Sequence, residues 1–261
     1  ENCQDSRLPE QKKTKIEKDR RSHEMKTSYI ALDLETTGLD PQKDQILEIG
    51  AVKIQDGKET ERYETFVRVG IPIPEKIQEL TGITEEMAAS GIPMEEAVRG
   101  LLDFCGKEDI LGHNILFDYS FVKCHAARIG ENFEKNGMDT LKIARKFLPE
   151  LKSRSLESLC SYFGIAQEKK HRASWDALAA SRIYQILGER FEEQEPDVFL
   201  AKPLVYRVKK ESPITISQKL YLLDLVKYHR IDLNVSVDSL TKSQASKMID
   251  RIILEHGRIK R

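Results

Sequence analysis

Four carboxylates in this sequence fall on elements that are otherwise apolar. Asp33 and Glu35 alternate with aliphatic residues in the segment Tyr29–Glu35, so both acids lie on one face of a predicted strand. Asp118 and Asp176 each fall on the apolar stripe of a predicted helix. Ionised carboxylates repel one another, and half-buried ones are costly unless a cation lies between them. The set therefore predicts a site for hard divalent cations, and two such ions about 4 Å apart can hold both the attacking and the leaving oxygen of a phosphoryl transfer.

Each of these residues alone also has an ordinary explanation. Asp33 or Glu35 could be a strand residue that faces solvent, and an acid near a helix start, such as Asp118 or Asp176, interacts favourably with the helix dipole. His171, five residues before Asp176, taken alone is more often a surface or capping histidine than a base. The joint spacing of the five residues, each within its own sequence neighbourhood, favours the chemical interpretation.

The elements that must position these residues predict an α/β fold. Apolar alternation predicts strands over residues 29–35, 46–55 and 62–69, with a hairpin turn at Asp56-Gly57. Short helices and turns are predicted over 72–102. Short strands at 110–113 and 138–140 alternate with predicted helices at 115–129, 140–148, 155–163 and 173–188. Three early strands followed by alternating strands and helices predict a mixed sheet flanked by helices.

The 261 residues predict one full-sized domain and a smaller one. Residues 1–27 are read as a polar, flexible extension and residues 28–190 as the α/β domain. Three prolines among charged residues predict a linker over 191–213. Residues 214–261 are predicted as a small basic helical domain, because two capping boxes, Thr215-x-x-Gln218 and Thr241-x-x-Gln244, each open an apolar helical pattern.

The net charge of −1 averages over unlike parts, since residues 29–199 carry −10 and residues 200–261 carry +7. An acidic body with a basic tail indicates bound cations or a polyanionic partner, although a basic helix face is equally often only solvated.

No apolar run is long enough for a membrane span, and no signal peptide is recognisable. The four cysteines include no C-x-x-C, so we expect reduced thiols and a cytoplasmic protein. Phosphate-binding loop, dinucleotide and zinc-protease motifs are absent from the sequence.

Three segments resemble, in order, the motifs of the DEDD exonuclease superfamily in its histidine-bearing (DEDDh) branch. They are Asp33-Leu-Glu35-Thr36-Thr37-Gly38, His113-Asn114-Ile-Leu-Phe117-Asp118 and His171-Arg-Ala-Ser-Trp-Asp176. The resemblance covers about residues 28–188 and is greatest to the epsilon-like proofreading exonuclease subunits or domains of bacterial DNA polymerase III.

The resemblance implies an RNase H-like fold and a two-metal mechanism. By position in the motifs, two Mg²⁺ or Mn²⁺ ions would be held by Asp33, Glu35, Asp118 and Asp176, and His171 would be the general base. The residues expected at the substrate are Thr36, Thr37, His113, Asn114 and Phe117.

The expected function is a 3′→5′ exonuclease that releases nucleoside monophosphates from DNA, most readily from a single-stranded 3′ end. An RNA-trimming exonuclease stays open, because the motifs do not distinguish the sugar. A non-catalytic nucleic-acid-binding or polymerase-associated protein of the same fold is the alternative from another class. A DNA polymerase or another replication or repair protein is an expected partner.

Overall fold

The computed structural model describes residues 25–166, 172–208, 212–233 and 235–259. The chain divides into two compact units, and the division falls after Val208. Residues 1–24 of the predicted extension over 1–27 lie outside the described residues. For its last residues the prediction of flexibility is wrong, because Lys26 pairs with Asp109 and the Met25 side chain packs at Gly188.

The first unit is built on a seven-stranded mixed sheet. The strands are β1 (Tyr29–Thr36), β2 (Ile46–Gln55), β3 (Lys58–Arg68), β4 (Ile92–Pro93), β5 (Ile110–Gly112), β6 (Asn136–Asp139) and β7 (Lys202–Pro203). Their order in the sheet is β4-β3-β2-β1-β5-β6-β7. Strands β1, β2 and β3 form an antiparallel meander, and β5 and β6 continue from β1 in parallel. The predicted mixed sheet is confirmed.

The hairpin between β2 and β3 forms where the sequence predicts it. Asp56 and Gly57 both adopt positive φ, at 49° and 76°, which a two-residue turn between twisted strands requires. Strand β3 begins at Lys58 and not at Arg62 as predicted. The additional residues are mostly polar and exposed, so they carry no apolar alternation, and their backbone pairing with β2 alone makes them a strand.

Helices cover both faces of the sheet, and the helices of the first unit are α1 (Glu75–Thr81), α2 (Glu85–Ser90), α3 (Met94–Cys105), α4 (Leu116–Arg128), α5 (Thr140–Phe147), α6 (Leu156–Phe163) and α7 (Ala173–Phe191). On one face α5, α6 and α7 pack against the side of β1 that carries Tyr29 and Ala31. On the other face α3 and α4 pack against the side that carries Ile30 and Leu32. The alternation in β1 therefore separates two apolar cores.

The predicted linker over 191–213 is wrong in its first part. Phe199 is fully buried in the core beneath α7, and its carbonyl accepts a hydrogen bond of 2.8 Å from the Tyr184 hydroxyl. Beyond it, β7 pairs with β6, and Leu204 packs in the opposite core. Proline and charge suggested an exposed connection, but a few apolar residues bury enough surface to fix this segment to the first unit.

The second unit contains α8 (Ile216–His229) and α9 (Lys242–His256). Both predicted capping boxes are present, at Thr215 and at Thr241. The two helix starts lie side by side, because Ile214 N donates to Leu240 O and Gln218 Nε2 donates to Lys242 O, at 2.9 and 3.0 Å. A small apolar core between the helices includes Leu222, Leu225, Leu240, Ala245, Ile249 and Ile252.

Candidate metal centre

Three carboxylates meet at the end of the central strand. One carboxylate oxygen from each of Asp33, Glu35 and Asp176 lies within 4.8 Å of the other two. Asp33 and Glu35 share the face of β1 that points toward α7, as their spacing predicts. Asp176 comes from the first turn of α7 and is buried.

The close approach of α7 depends on a glycine. Gly50 lies opposite Asp33 in the β1–β2 register. A Cβ atom at Gly50 would lie 2.0 Å from the backbone nitrogen of Ser174, far inside van der Waals contact. Because no side chain stands there, the start of α7 rests directly on β2, and Asp176 reaches the acids of β1.

Asp118 joins the site from the first turn of α4. Its Oδ1 accepts a hydrogen bond of 3.0 Å from the backbone N–H of Leu34, the residue between the two acids of β1. Asp118 is buried, and its negative charge acts on Asp33. The contact to Leu34 fixes α4 to the strand at this point. All four predicted carboxylates are thereby brought to one region.

The electrostatics of the site disfavour four ionised groups. Burial, reinforced by the negative charges of Asp118 and Glu35, raises the pKa of Asp33 well above its usual range. Burial also raises the pKa of Asp118. For Glu35, burial and the negative charges of Asp176 and Glu48 raise the pKa to about 7, against the opposing effect of Arg172. A cation bound among these oxygens would remove the repulsion.

Sequence reasoning missed a fifth acid, Glu48, and its partner Arg172. Glu48 lies opposite Glu35 in the β1–β2 register, its side chain is fully buried, and its Oε2 accepts a bond of 3.0 Å from Arg172 Nη1. Among the described residues, Glu48 Oε1 has no hydrogen-bond partner. The strand period could have indicated Glu48. Alternate residues of a strand point to the same face, so Glu48 lies on the inward face together with Gly50 and the buried Val52.

Thr36 and Thr37, predicted at the substrate, are largely buried and use their hydroxyls locally. Thr36 Oγ1 donates to Gly38 O at 2.7 Å. Thr37 Oγ1 accepts from Gln45 N at 2.9 Å. These bonds close the loop between β1 and β2 immediately after Glu35, so they fix the loop at the edge of the acid cluster.

The three predicted substrate residues that precede Asp118 differ in their exposure and in their partners. Both ring nitrogens of His113 are engaged, by Thr140 Oγ1 at 2.8 Å and by Arg154 O at 2.9 Å, and burial lowers the pKa of its imidazole. The structure thus gives His113 a role in joining β5 to later segments. Asn114 is exposed, with φ 72°, and Phe117 is partly buried beside Phe121.

His171, the predicted base, lies outside the described residues. Described chain resumes at Arg172, whose carbonyl accepts from Asp176 N at 3.0 Å. His171 is therefore next in sequence to the residue that immediately precedes α7.

The donor set fits a hard divalent cation. Among the described residues, the clustered ligand atoms are all carboxylate oxygens, which suit Mg²⁺ or Mn²⁺ better than a softer metal. The raised pKa values of Asp33 and Glu35 reflect burial and mutual repulsion, which a bound cation would offset.

A mixed sheet that places acids from a central strand and two helices at one site defines an RNase H-like fold of the exonuclease type. The sequence model of the exonuclease family (RNase_T) matches residues 30–184, and the chain belongs to this family. The matched range contains the four carboxylates and His171.

Curated relatives include bacterial replicative polymerases. The chain is 36% identical over 176 residues to the DNA polymerase III PolC-type of Clostridium perfringens, covering 67% of this chain but only 12% of that protein. It is 35% identical over 164 residues to the DNA polymerase III subunit epsilon of Aquifex aeolicus, covering 62% of this chain and 81% of the relative. The chain therefore matches a small part of the large polymerases and most of the epsilon subunit.

Solved structures share the fold. Exonuclease X in complex with 5′ overhanging duplex DNA matches with a TM-score of 0.53 at 24% identity, covering 66% of this chain and 99% of that one. Escherichia coli exonuclease I in complex with a dA16 oligonucleotide matches with a TM-score of 0.58 at 19% identity, covering 67% of this chain and 42% of that one.

Over the described part of this chain, no helix is both long and apolar enough to cross a membrane.

Proposed function

We propose that the chain is a metal-dependent 3′→5′ exonuclease that hydrolyses DNA from its 3′ end and releases nucleoside monophosphates. The observation that carries the proposal is the convergence of Asp33, Glu35 and Asp176 within 4.8 Å, with Asp118 fixed to the same strand. Membership of the exonuclease family and the DNA bound by the structural neighbours support it.

In this proposal Asp33, Glu35, Asp118 and Asp176 would hold two Mg²⁺ or Mn²⁺ ions. Bound there, the ions would supply a water of lowered pKa and stabilise the charge on the departing 3′ oxygen. Without a cation, the acids that stay ionised would repel the phosphate of a DNA strand, so we expect chelation to abolish hydrolysis.

The remaining proposed roles belong to the protein's own side chains. His171 accepts the proton of the attacking water, a task that suits an imidazole whose unperturbed pKa is about 6.5. Thr36, Thr37 and the backbone after them lie at the terminal nucleotide. Asn114, which is exposed, and Phe117, which is partly exposed, contact the strand that enters. His113 acts by holding its loop, since both ring nitrogens have partners within the protein.

Association with a DNA polymerase is part of the proposal, because the epsilon subunit of Aquifex aeolicus is similar over 81% of its length. The second unit is proposed to hold nucleic acid near the site through its basic residues. Removing residues 209–261 and measuring DNA affinity across salt concentrations tests this role. An unchanged affinity and salt slope would contradict it.

The direct test uses 5′-labelled single-stranded DNA, duplex DNA and RNA, each with Mg²⁺, Mn²⁺ or EDTA. We expect progressive shortening of DNA from the 3′ end that EDTA stops, and no shortening by Asp176→Asn. Asp197→Asn, which changes an acid outside the site, should retain wild-type activity. Faster shortening of RNA would reassign the substrate, and binding without metal-dependent shortening of any strand would leave a non-catalytic binding protein.

A further inference from the structure

The ion pair between Glu48 and Arg172 lies directly behind the acid cluster. Glu48 has a fully buried side chain opposite Glu35 on the neighbouring strand. Arg172 is one-fifth exposed and donates from Nη1 to Glu48 Oε2 at 3.0 Å. The pair joins β2 to the segment that begins α7.

Arg172 controls the position of Asp176 through the backbone. Its carbonyl accepts from the N–H groups of Trp175 and Asp176, at 2.8 and 3.0 Å, so it forms the first turn of α7. The guanidinium lies over the Phe66 ring, 5.6 Å from its centroid, as well as against Glu48. Because these contacts restrain the side chain on two sides, the place where α7 begins is fixed relative to β2 and β3.

A buried ion pair of this kind gives little net stability. Desolvation of two charges opposes their attraction, and apolar residues of similar volume often replace such a pair without loss of stability. The Glu48–Arg172 pair also adds an acid beside acids that already repel. Its presence is better explained by the geometry that it imposes on α7 than by its contribution to folding.

We propose that Glu48 and Arg172 are positioning residues that hold the start of α7 so that the Asp176 carboxylate meets Asp33 and Glu35 at the correct spacing for a divalent cation. This inference rests on the proposed metal site. The pair acts through Asp176 and contacts neither metal nor substrate.

The test replaces the pair as a whole with Glu48→Leu/Arg172→Met, which leaves the net charge of the site unchanged. Mn²⁺ affinity is measured by titration with electron paramagnetic resonance detection of free Mn²⁺, and thermal unfolding is measured on the same metal-free samples. We expect an increase of about 10- to 100-fold in the Mn²⁺ dissociation constant, the usual effect of removing a group that orients a metal ligand. We expect a melting temperature close to that of the wild type.

Two further variants separate positioning from general effects. Arg172→Lys keeps the positive charge but loses the planar guanidinium. We therefore expect its Mn²⁺ affinity to lie between that of the wild type and that of Glu48→Leu/Arg172→Met. Lys53→Met/Glu61→Gln removes an ion pair between β2 and β3, away from the acids, and should leave Mn²⁺ affinity unchanged.

The positioning role alone would be overturned if the wild type binds Mn²⁺ and the Glu48→Leu/Arg172→Met variant binds it with an affinity within twofold of the wild type. A loss of affinity that only follows a collapse of the melting temperature would also overturn it, because the pair would then be structural. A wild-type protein that binds no Mn²⁺ would contradict the proposed function itself and the inference with it.

Discussion

Gly50→Ala is the substitution whose effect the structure defines most sharply. The added Cβ would lie 2.0 Å from Ser174 N and 2.1 Å from the carbonyl carbon of Ala173, and both atoms belong to the backbone at the start of α7. Side-chain rotation cannot relieve such a contact. Restoring ordinary separation therefore requires α7 and β2 to move apart by at least about 1 Å.

The displacement has consequences for stability and for the site. Overpacking of a close contact costs about 1–3 kcal/mol, and each kcal/mol lowers the melting temperature of a unit of this size by about 2–4 °C. A protein with a typical stability of about 5–15 kcal/mol stays folded. Since Asp176 is carried by the displaced turn, we expect nuclease activity to fall by about 100-fold, as for a misplacement of about 1 Å in other sites.

The assay compares Gly50→Ala with Gly70→Ala, whose added Cβ meets nothing within 4 Å. Shortening of 5′-labelled DNA gives the rate, and Mn²⁺ titration reports the site independently of activity. Gly70→Ala should match the wild type in both. Wild-type rate and Mn²⁺ affinity in a folded Gly50→Ala protein would refute the argument that the contact of α7 with β2 sets the acid cluster.

Three further predictions concern parts of the fold that support the site. Burial and the nearby charge of Arg128 lower the pKa of His125 to about 4. As the pH drops below about 6.5, the unfolded chain therefore binds a proton at His125 that the folded protein does not yet bind, and the free energy of unfolding should fall. Urea unfolding at pH 7 and pH 5 should show the wild type losing about 2 kcal/mol more than His125→Gln; equal losses would contradict the assignment. Tyr184→Phe should destabilise the first unit by about 1–3 kcal/mol in the same assay, because the buried Phe199 carbonyl loses its donor, and no change would show that water replaces it. A chain ending at Val208 should melt like the first unit of the full-length protein, whereas one ending at Glu195 should melt markedly lower because it lacks Phe199 and Leu204; equal melting of the two would restore the linker interpretation.

The sequence predicts the elements whose pattern is local. Alternation in Tyr29–Glu35 predicts both the strand and the common face of Asp33 and Glu35, and the Asp56-Gly57 turn predicts its hairpin. Helix starts with capping residues, such as Thr215, also fall where the sequence indicates them. These features depend on backbone preference and side-chain period, which a single sequence contains.

Features that depend on distant contacts were not predictable in the same way. Strand β7 has only two residues and exists because β6 offers an edge. Glu48 resembles a single polar interruption in an apolar strand until Arg172, 124 residues later, is placed beside it. His113 resembles a substrate residue by its motif, yet its ring is used between Thr140 and Arg154. In each case the deciding partner lies far away in the sequence.

The proposed function requires Asp33, Glu35, Asp118 and Asp176 to form one divalent metal centre. Diffraction from crystals grown with Mn²⁺, collected at a wavelength where manganese scatters anomalously, would locate the ion. We predict anomalous density among these four carboxylates and its loss in Asp176→Asn crystals. Crystals that contain manganese elsewhere but none among these acids would contradict it.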